Sequence, residues 1–414
     1  MVKEGYKETE IGVIPEEWES VALLSKCELL NGLTYTPNDM ADNGLLVIRS
    51  SNVQNNQLIF SDNVYVDLTV ADEKLIKKDD IIICVRNGSA ALIGKCAKAS
   101  RDYPITFGAF MAVLRGENNG FIYQLLQQGT IQKHISKNSG ATINQITNGD
   151  FKTIFVPFPT DLKEQERIAG ALSDMDKLIS SLEKLIEKKK AIKQGAMQEL
   201  LTGGKQLYSN ANELEEIPIK DLFSYINGKS LEEFFNYNSG YKVISIGNYS
   251  SEGTFIDTNT YIDHSYKAQF HNLIASNNDL VMILNDKTSI GTILGRVLLI
   301  DKDDSYIINQ RSVILRLKND KFCAKYFYYL LNSKYVRKNI MKKSKPGTQI
   351  YLNLPDVLEL SVKYTSDIKE QQIIANTLSD IDAEIAALEQ KLTKCQKLKQ
   401  GMMQQLLTGK IRLI

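Results

Sequence analysis

The chain has 414 residues, 43% hydrophobic and 24% charged, with 8 prolines; that length carries two or three domains with buried cores, and the composition is that of a soluble globular protein. Fifty Lys and Arg stand against 49 Asp and Glu, a net charge of +1. There is thus no global basic signal for nucleic acid, and a DNA-binding surface has to come from local clustering or be shared with a partner. No apolar run approaches the ~20 residues of a membrane span, and the start MVKEGYKETE has no secretory hydrophobic region, so a cytoplasmic location away from membranes is expected. The five cysteines (Cys27, Cys84, Cys96, Cys323, Cys395) form no CxxC pair, which suits a reducing compartment, and three dispersed histidines suggest no metal site.

The first segment opens near Asn31-Gly32 and holds strand-like runs at 44–53 (GLLVIRSSNV), 77–89 (KKDDIIICVRNGS) and 109–116 (AFMAVLRG), followed by a helical pattern at 121–135. A long amphipathic helix is predicted next, from Lys163 to Gly203. A second segment then repeats the order: Asn227-Gly228, strand-like runs at 240–249, 277–289 and 310–318, a helical pattern at 321–340, and a second long helix from Lys369 to Gly409. The two long helices are copies of one sequence. With an offset of 206 positions, about half of the residues are identical, including Lys163/Lys369, Ile168/Ile374, Leu172/Leu378, Asp176/Asp382 and Gln194/Gln400. The offset also matches Thr142 with Thr348 and Asp150 with Asp356 in the preceding segments.

Apolar residues in the first helix (Ile168, Leu172, Met175, Ile179, Leu182, Ile186) alternate steps of 4 and 3, as do those in the second (Ile374, Leu378, Ile381, Ile385, Leu388, Leu392, Cys395). This is a heptad row without proline, and Gly203 and Gly409 stand where a C-terminal stop belongs. A helix of roughly 40 residues spans about 60 Å. With so narrow an apolar stripe it needs a partner, and its own duplicate is the expected one. The fold class expected is mixed α+β: two homologous α/β domains separated by two long helices that pack as an antiparallel coiled coil with approximate twofold symmetry. The boundaries are 1–159 and 209–365 for the domains, and 160–208 and 366–414 for the helical spacers.

Catalytic motifs are absent. There is no GxGxxG dinucleotide loop. The stretch GSAALIGKC (88–96) resembles a phosphate-binding loop but has five residues between its glycines and Cys96 where Ser or Thr should hold the metal. The prolines are never adjacent, which removes the Asn/Asp-Pro-Pro-aromatic pocket of amino-methyltransferases, and no Gly-x-Ser-x-Gly occurs. Carboxylates of the long helices, and the lysines Lys188–Lys190, Lys394, Lys397 and Lys399, read as solvated faces. A non-catalytic chain without a metal or cofactor of its own is expected.

What the segments do carry is matched polar and basic loops. The first has Arg86, Asn87 and Ser89 after an apolar strand, then Lys133, Lys137, Thr142, Asn144 and Gln145; the second has Lys287 and Thr288, then Gln310 and Arg311, then Lys342, Lys343, Lys345, Thr348, Gln349 and Tyr351. Lys and Arg hold phosphates, while Asn, Gln, Arg and Thr can read base edges in the major groove. These residues are the candidate DNA-binding surface.

With IGVIPEEWE (11–19), two helix openings of the form KEQ-x-x-IA-x-x-L-S-D-x-D and two LLTG helix ends, the sequence resembles the specificity subunits of type I restriction-modification enzymes over nearly its whole length. That resemblance implies two target recognition domains that each read half of an asymmetric bipartite site on double-stranded DNA. It also implies two modification (methyltransferase) subunits and further restriction (motor-nuclease) subunits as partners, with S-adenosylmethionine, ATP and Mg²⁺ belonging to those partners. The ~60 Å helix then limits the half-site separation to at most ~18 base pairs at 3.4 Å each. The other reading is a coiled-coil adaptor that bridges protein partners without reading DNA.

Overall fold

The computed structural model describes residues 3–138, 144–203, 214–288, 290–345 and 349–414. The chain divides into two compact units, one made of Met1–Glu183 with Gln390–Ile414 and the other of Lys184–Glu389. The long helices, Leu162–Leu201 and Ile368–Leu406, therefore each contribute a part to both units.

In unit one a four-stranded antiparallel sheet has the order Cys96–Lys98, Ile81–Cys84, Met111–Arg115, Glu28–Asn31. Unit two repeats it with Val297–Leu299, Leu280–Ile283, Ser312–Leu317 and Phe223–Asn227. The inner strands Ile81–Cys84 and Leu280–Ile283 are wholly buried, which is why they read as unbroken apolar runs rather than as alternating ones. Just before each of them stands a buried aspartate. Asp80 takes both Nε and Nη2 of Arg115, at 2.8 and 2.6 Å, and Asp279 takes both of Arg316, at 2.7 and 2.7 Å. A two-pronged pair of this kind fixes the register of neighbouring strands.

A second sheet, of four short strands in unit one and five in unit two, contains one parallel pair in each: Leu45–Ile48 with Thr106–Phe107, and Tyr241–Ile244 with Tyr306–Ile308. Unit two adds the short strand Ile274–Ala275 at its edge. The two Asn-Gly steps have a steric reason. A Cβ on Gly32 would lie 2.0 Å from the Gly108 carbonyl oxygen, and one on Gly228 would lie 2.0 Å from that of Asn309.

Each helical pattern expected as one helix is two. In unit one Asn119–Leu126 ends before Gln127 and Gly129–Asn138 follows. In unit two Ala324–Asn332 and Lys334–Lys342 meet at Ser333, whose hydroxyl accepts the Val336 N–H at 3.3 Å and so starts the second helix.

The long helices are fastened at both ends. Gln165 donates to the Pro159 carbonyl and accepts from Asn118, and its counterpart Gln371 donates to the Thr365 carbonyl and accepts the Cys323 N–H. Gly203 and Gly409 adopt left-handed φ values of 74° and 71°, which suits the expected C-terminal stop. Gly409 also lies under the ring of Pro15 and beside Trp18, so the N-terminal IGVIPEEWE stretch packs on the end of the second long helix within unit one.

The heptad rows do more than join helix to helix. Ile168 and Leu172 enter the core of unit one together with Phe121, Leu125, Leu406 and Leu407; Ile374 and Leu378 enter the core of unit two with Met197, Leu201 and Tyr326. Leu182, Ile186 and Ile385 are buried, and Met175, Ile179, Ile381, Leu388, Leu392 and Cys395 are half-buried.

The expectation of solvated faces on these helices is corrected at several positions. Lys399 is buried in unit one and bonds Asp176 at 2.6 Å, and Gln124 donates to the other oxygen of that carboxylate. In unit two the same arrangement recurs, with buried Lys193 on Asp382 at 2.6 Å and the Tyr329 hydroxyl on its other oxygen. Lys189 and Lys190 pair with Glu384 and Glu389. Buried Glu164 holds Trp18 Nε1 and the Arg412 guanidinium. Asp176 meets Lys399 while Glu164, earlier in the chain, meets the later Arg412, so the paired segments in unit one run antiparallel; Lys190 to Glu389 and Lys193 to Asp382 show the same in unit two.

Removing one partner of a buried pair strands the other charge, at a cost of ~3–5 kcal/mol when both are fully buried. Asp382 keeps about a third of its side chain in water, so Asp382→Ala is expected to destabilise unit two by about 1–3 kcal/mol in urea unfolding. The double change Lys193→Met, Asp382→Leu should recover most of that loss. Equal stability of Asp382→Ala and the parent would show that the pair holds nothing.

Candidate nucleic-acid interface

In unit one the strand Ile81–Cys84 runs out into residues 85–89, and the fold brings 144–146 alongside. The Ile146 N–H donates to the Val85 carbonyl at 2.9 Å, Arg86 and Gln145 form an antiparallel bridge, and the Asn87 N–H donates to the Asn144 carbonyl at 3.1 Å. Asn144 Nδ2 closes the loop on the Gly88 carbonyl at 2.9 Å, and the Ser89 N–H rests on Asn87 Oδ1. Arg86, Asn87, Ser89, Asn144 and Gln145 thus share one surface, and all are exposed or half-buried.

Phe110 belongs to the same surface although the sequence reading passed over it. Its carbonyl accepts the N–H groups of both Val85 and Arg86, and its ring, 53% exposed, lies under the Arg86 guanidinium at 5.2 Å. A guanidinium stacked on a ring keeps its outer N–H donors directed to solvent. Asn87 Nδ2 reaches Ser50 Oγ at 2.9 Å, and beside it Ser50, Ser51, Gln54, Asn55, Leu92 and Lys95 line a cleft of about 450 Å³. Lys95 sits in the stretch discounted as a failed phosphate loop. Lys133 stands exposed on the helix Gly129–Asn138. Thr142 lies outside the described residues, as does the side chain of Lys137.

Unit two builds the same frame with other side chains. The Leu352 N–H donates to the Leu284 carbonyl at 2.8 Å, and the Leu284 N–H to the Arg311 carbonyl at 2.8 Å. These bonds set Leu284 in the place of Val85, Leu352 in that of Ile146, and Arg311 in that of Phe110. It follows that Asn285 stands for Arg86, Asp286 for Asn87, and Tyr351 for Gln145. Asn285 and Asp286 pair with Tyr351 and Ile350, and Lys345 bridges to Tyr351. Arg311 Nη1 donates to Gln349 Oε1 at 2.6 Å.

Lys287, Thr288, Gln310, Lys342, Lys343, Lys345, Gln349 and Tyr351 are exposed, while Thr348 lies outside the described residues. Arg337, in the same basic stretch, instead donates to the carbonyls of Leu294 and Thr292 and is a structural clamp. Gln310 turns its amide to Glu232 at 2.7 Å rather than to the loop pair.

Asp286 organises the loop after it. Its Oδ1 accepts the N–H and hydroxyl of Thr288, and its Oδ2 accepts the Ile293 N–H. Burial opposes its charge, but the hydrogen bonds from Ile293 and Thr288 win and hold the carboxyl below its ordinary value. Among the described residues no group of three or more His, Cys, Asp or Glu could hold a metal ion, and no helix is long and apolar enough to cross a membrane. The thiols of Cys27 and Cys96 are pushed by burial up to about 12, which leaves them unreactive.

Residues 15–194 and 212–398 each match the type I restriction modification DNA specificity domain. The chain is 30% identical over 290 residues to the type I restriction enzyme MjaVIII specificity subunit of Methanocaldococcus jannaschii, an alignment that takes in 67% of each protein. It is 28% identical over 249 residues to the EcoKI specificity subunit of Escherichia coli, covering 58% of this chain and 49% of that one. In structure it is similar to the crystal structure of the type I restriction-modification system S subunit from M. genitalium, with a TM-score of 0.64 at 18% identity over 94% of this chain and 96% of that one.

Because the folded-state carboxyl of Asp286 titrates below its ordinary value, its support of the loop is complete above the ordinary aspartate pKa and fades as pH falls through the lower folded value. Asp286→Ala leaves the Thr288 and Ile293 N–H groups without their acceptor, a cost of about 1–3 kcal/mol. The expected result is faster amide hydrogen exchange at Thr288 and Ile293 at neutral pH. Unchanged protection there would show that the carboxylate does not hold the loop.

Proposed function

Since the chain belongs to the family of DNA specificity subunits of type I restriction-modification systems, we propose that its two units read the two halves of an asymmetric bipartite DNA target. In that family the chain is the non-catalytic component that directs methylation and restriction.

The observation that carries the reading is one backbone frame presented twice with different exposed side chains. Unit one offers Arg86 on Phe110, with Asn87, Asn144 and Gln145; unit two offers Asn285, Arg311 with Gln349, and Tyr351 among lysines. Frames joined by equivalent backbone bonds suit similar approaches to a duplex, and diverged side chains suit different base edges. Segments 1–159 and 209–365 serve as the target recognition domains. Segments 160–208 and 366–414 serve as helical spacers, and their helix length sets the gap between the half-sites. Two modification subunits dock to form the methyltransferase, restriction subunits add cleavage, and S-adenosylmethionine, ATP and Mg²⁺ act in those partners.

The near-neutral charge makes the partners part of the DNA grip. The isolated chain is expected to bind its duplex weakly, and the complex with modification subunits much more tightly, with affinity falling steeply as salt rises. Fluorescence anisotropy across a salt series measures both. Equal affinity with and without the modification subunits contradicts the shared grip, and an absence of specific, salt-dependent binding by the complex would instead favour a protein-bridging adaptor.

A further inference from the structure

Glu232 is an exposed carboxylate that bonds Gln310, the residue just before Arg311 of the unit-two loop surface. Its surroundings are built around it. Asn309, 4% exposed, accepts the Leu231 N–H on Oδ1 at 3.0 Å and donates through Nδ2 to Glu232 Oε1 at 2.9 Å. The Ser230 hydroxyl donates to Oε2, and Gln310 Nε2 donates to Oε1 at 2.7 Å. These bonds, first from Ser230 and then from Asn309, hold the carboxyl at about 2, so it is an anion at any working pH.

An ionised carboxylate only accepts hydrogen bonds. Gln310 must therefore turn its NH₂ toward Glu232, which leaves Oε1 and one remaining N–H directed elsewhere. An acceptor beside a single donor matches adenine in the major groove, which presents the N6 amino group as donor and N7 as acceptor. Guanine presents two acceptors, O6 and N7, and asks for two donors that this amide cannot turn outward.

The next residue, Arg311, has φ of +68° in the turn before the strand Ser312–Leu317, a left-handed conformation that costs a non-glycine residue energy. Its guanidinium is steadied by Gln349. In unit one the corresponding dipeptide is Ala109-Phe110, which offers no such amide.

We propose that Glu232 is a positioning residue for base readout: by orienting the Gln310 amide it selects adenine over guanine at one position of the half-site read by unit two. The proposal rests on the DNA-reading role argued above.

Full complexes with modification subunits, carrying the parent chain, Gln310→Ala, Glu232→Gln or Glu232→Asp, are compared by base-resolution mapping of methylated sites. Gln310→Ala should relax one adenine position and so identify it. In Glu232→Gln the neutral amide can also donate to Gln310, freeing it to flip. Preference for adenine at that same position should then fall from about 5- to 150-fold, the range of one two-pronged base contact, to about 2-fold or less, with guanine accepted. Glu232→Asp, still acceptor-only, should retain the adenine preference, and the other half-site should stay unchanged throughout.

An unchanged motif in Glu232→Gln overturns the proposal, as does relaxation at a different position or uniform loss of methylation in a complex that still assembles. A parent complex that methylates no specific motif overturns the DNA-reading role itself.

Discussion

A lysine taken out of water on one long helix, bonded to an aspartate on the other, is the interaction on which each unit depends. It is made twice: Lys399 with Asp176 in unit one, and Lys193 with Asp382 in unit two. Burying a single ammonium is costly unless a carboxylate meets it in good geometry, so the pair tolerates only one register of the two helix segments. Each aspartate is further held by a residue of the domain helix beside it, Gln124 or Tyr329. The pairing therefore aligns helix with helix and helix with domain at the same point. Because the partners in each pair lie far apart in sequence, neither unit is complete until remote parts of the chain have met: unit one closes only with Gln390–Ile414.

With the frame so fixed, the loops can vary. The backbone bonds that join residue 85 to 146 and to 110 in unit one have direct equivalents joining 284 to 352 and to 311 in unit two. None of these bonds involves a side chain. Divergence at Arg86 and Asn285, Gln145 and Tyr351, or Phe110 and Arg311 thus leaves the scaffold intact while replacing the groups that meet solvent. The deep elements show the opposite behaviour. Asp80 with Arg115 and Asp279 with Arg316 are the same pair in both units, as are the close-packed Gly32 and Gly228. Side chains that carry the fold are kept, and those that face outward are free to change.

Much of this was legible in the sequence because it is written locally. The duplicated helix, its heptad steps and its glycine ends need only spacing, and IIIC or LVMI declares a strand buried on both faces. The polar loops after those strands were legible too, since a polar cluster following an apolar run marks a strand's exit. What escaped depends on contacts across long separations. Nothing in the spacing of Lys399 tells that it will face Asp176 rather than water. An exposed Phe110 reads as core until its carbonyl is seen holding the Val85 and Arg86 amides. The orientation of Gln310 is set by Glu232, 78 positions earlier. The single helices expected at 121–135 and 321–340 break at Gln127–Gln128 and at Ser333, inside patterns whose apolar periodicity runs on through them.

The most direct test is a base-resolution map of the sites methylated when this chain is assembled with its modification subunits. Two copies of one scaffold bearing different exposed residues predict a motif of two dissimilar half-sites separated by a fixed run of unread bases. A palindromic motif, or one uninterrupted block, would contradict it, since neither can be read by two frames that share a backbone and differ at Arg86, Phe110 and Gln145 against Asn285, Arg311 and Tyr351.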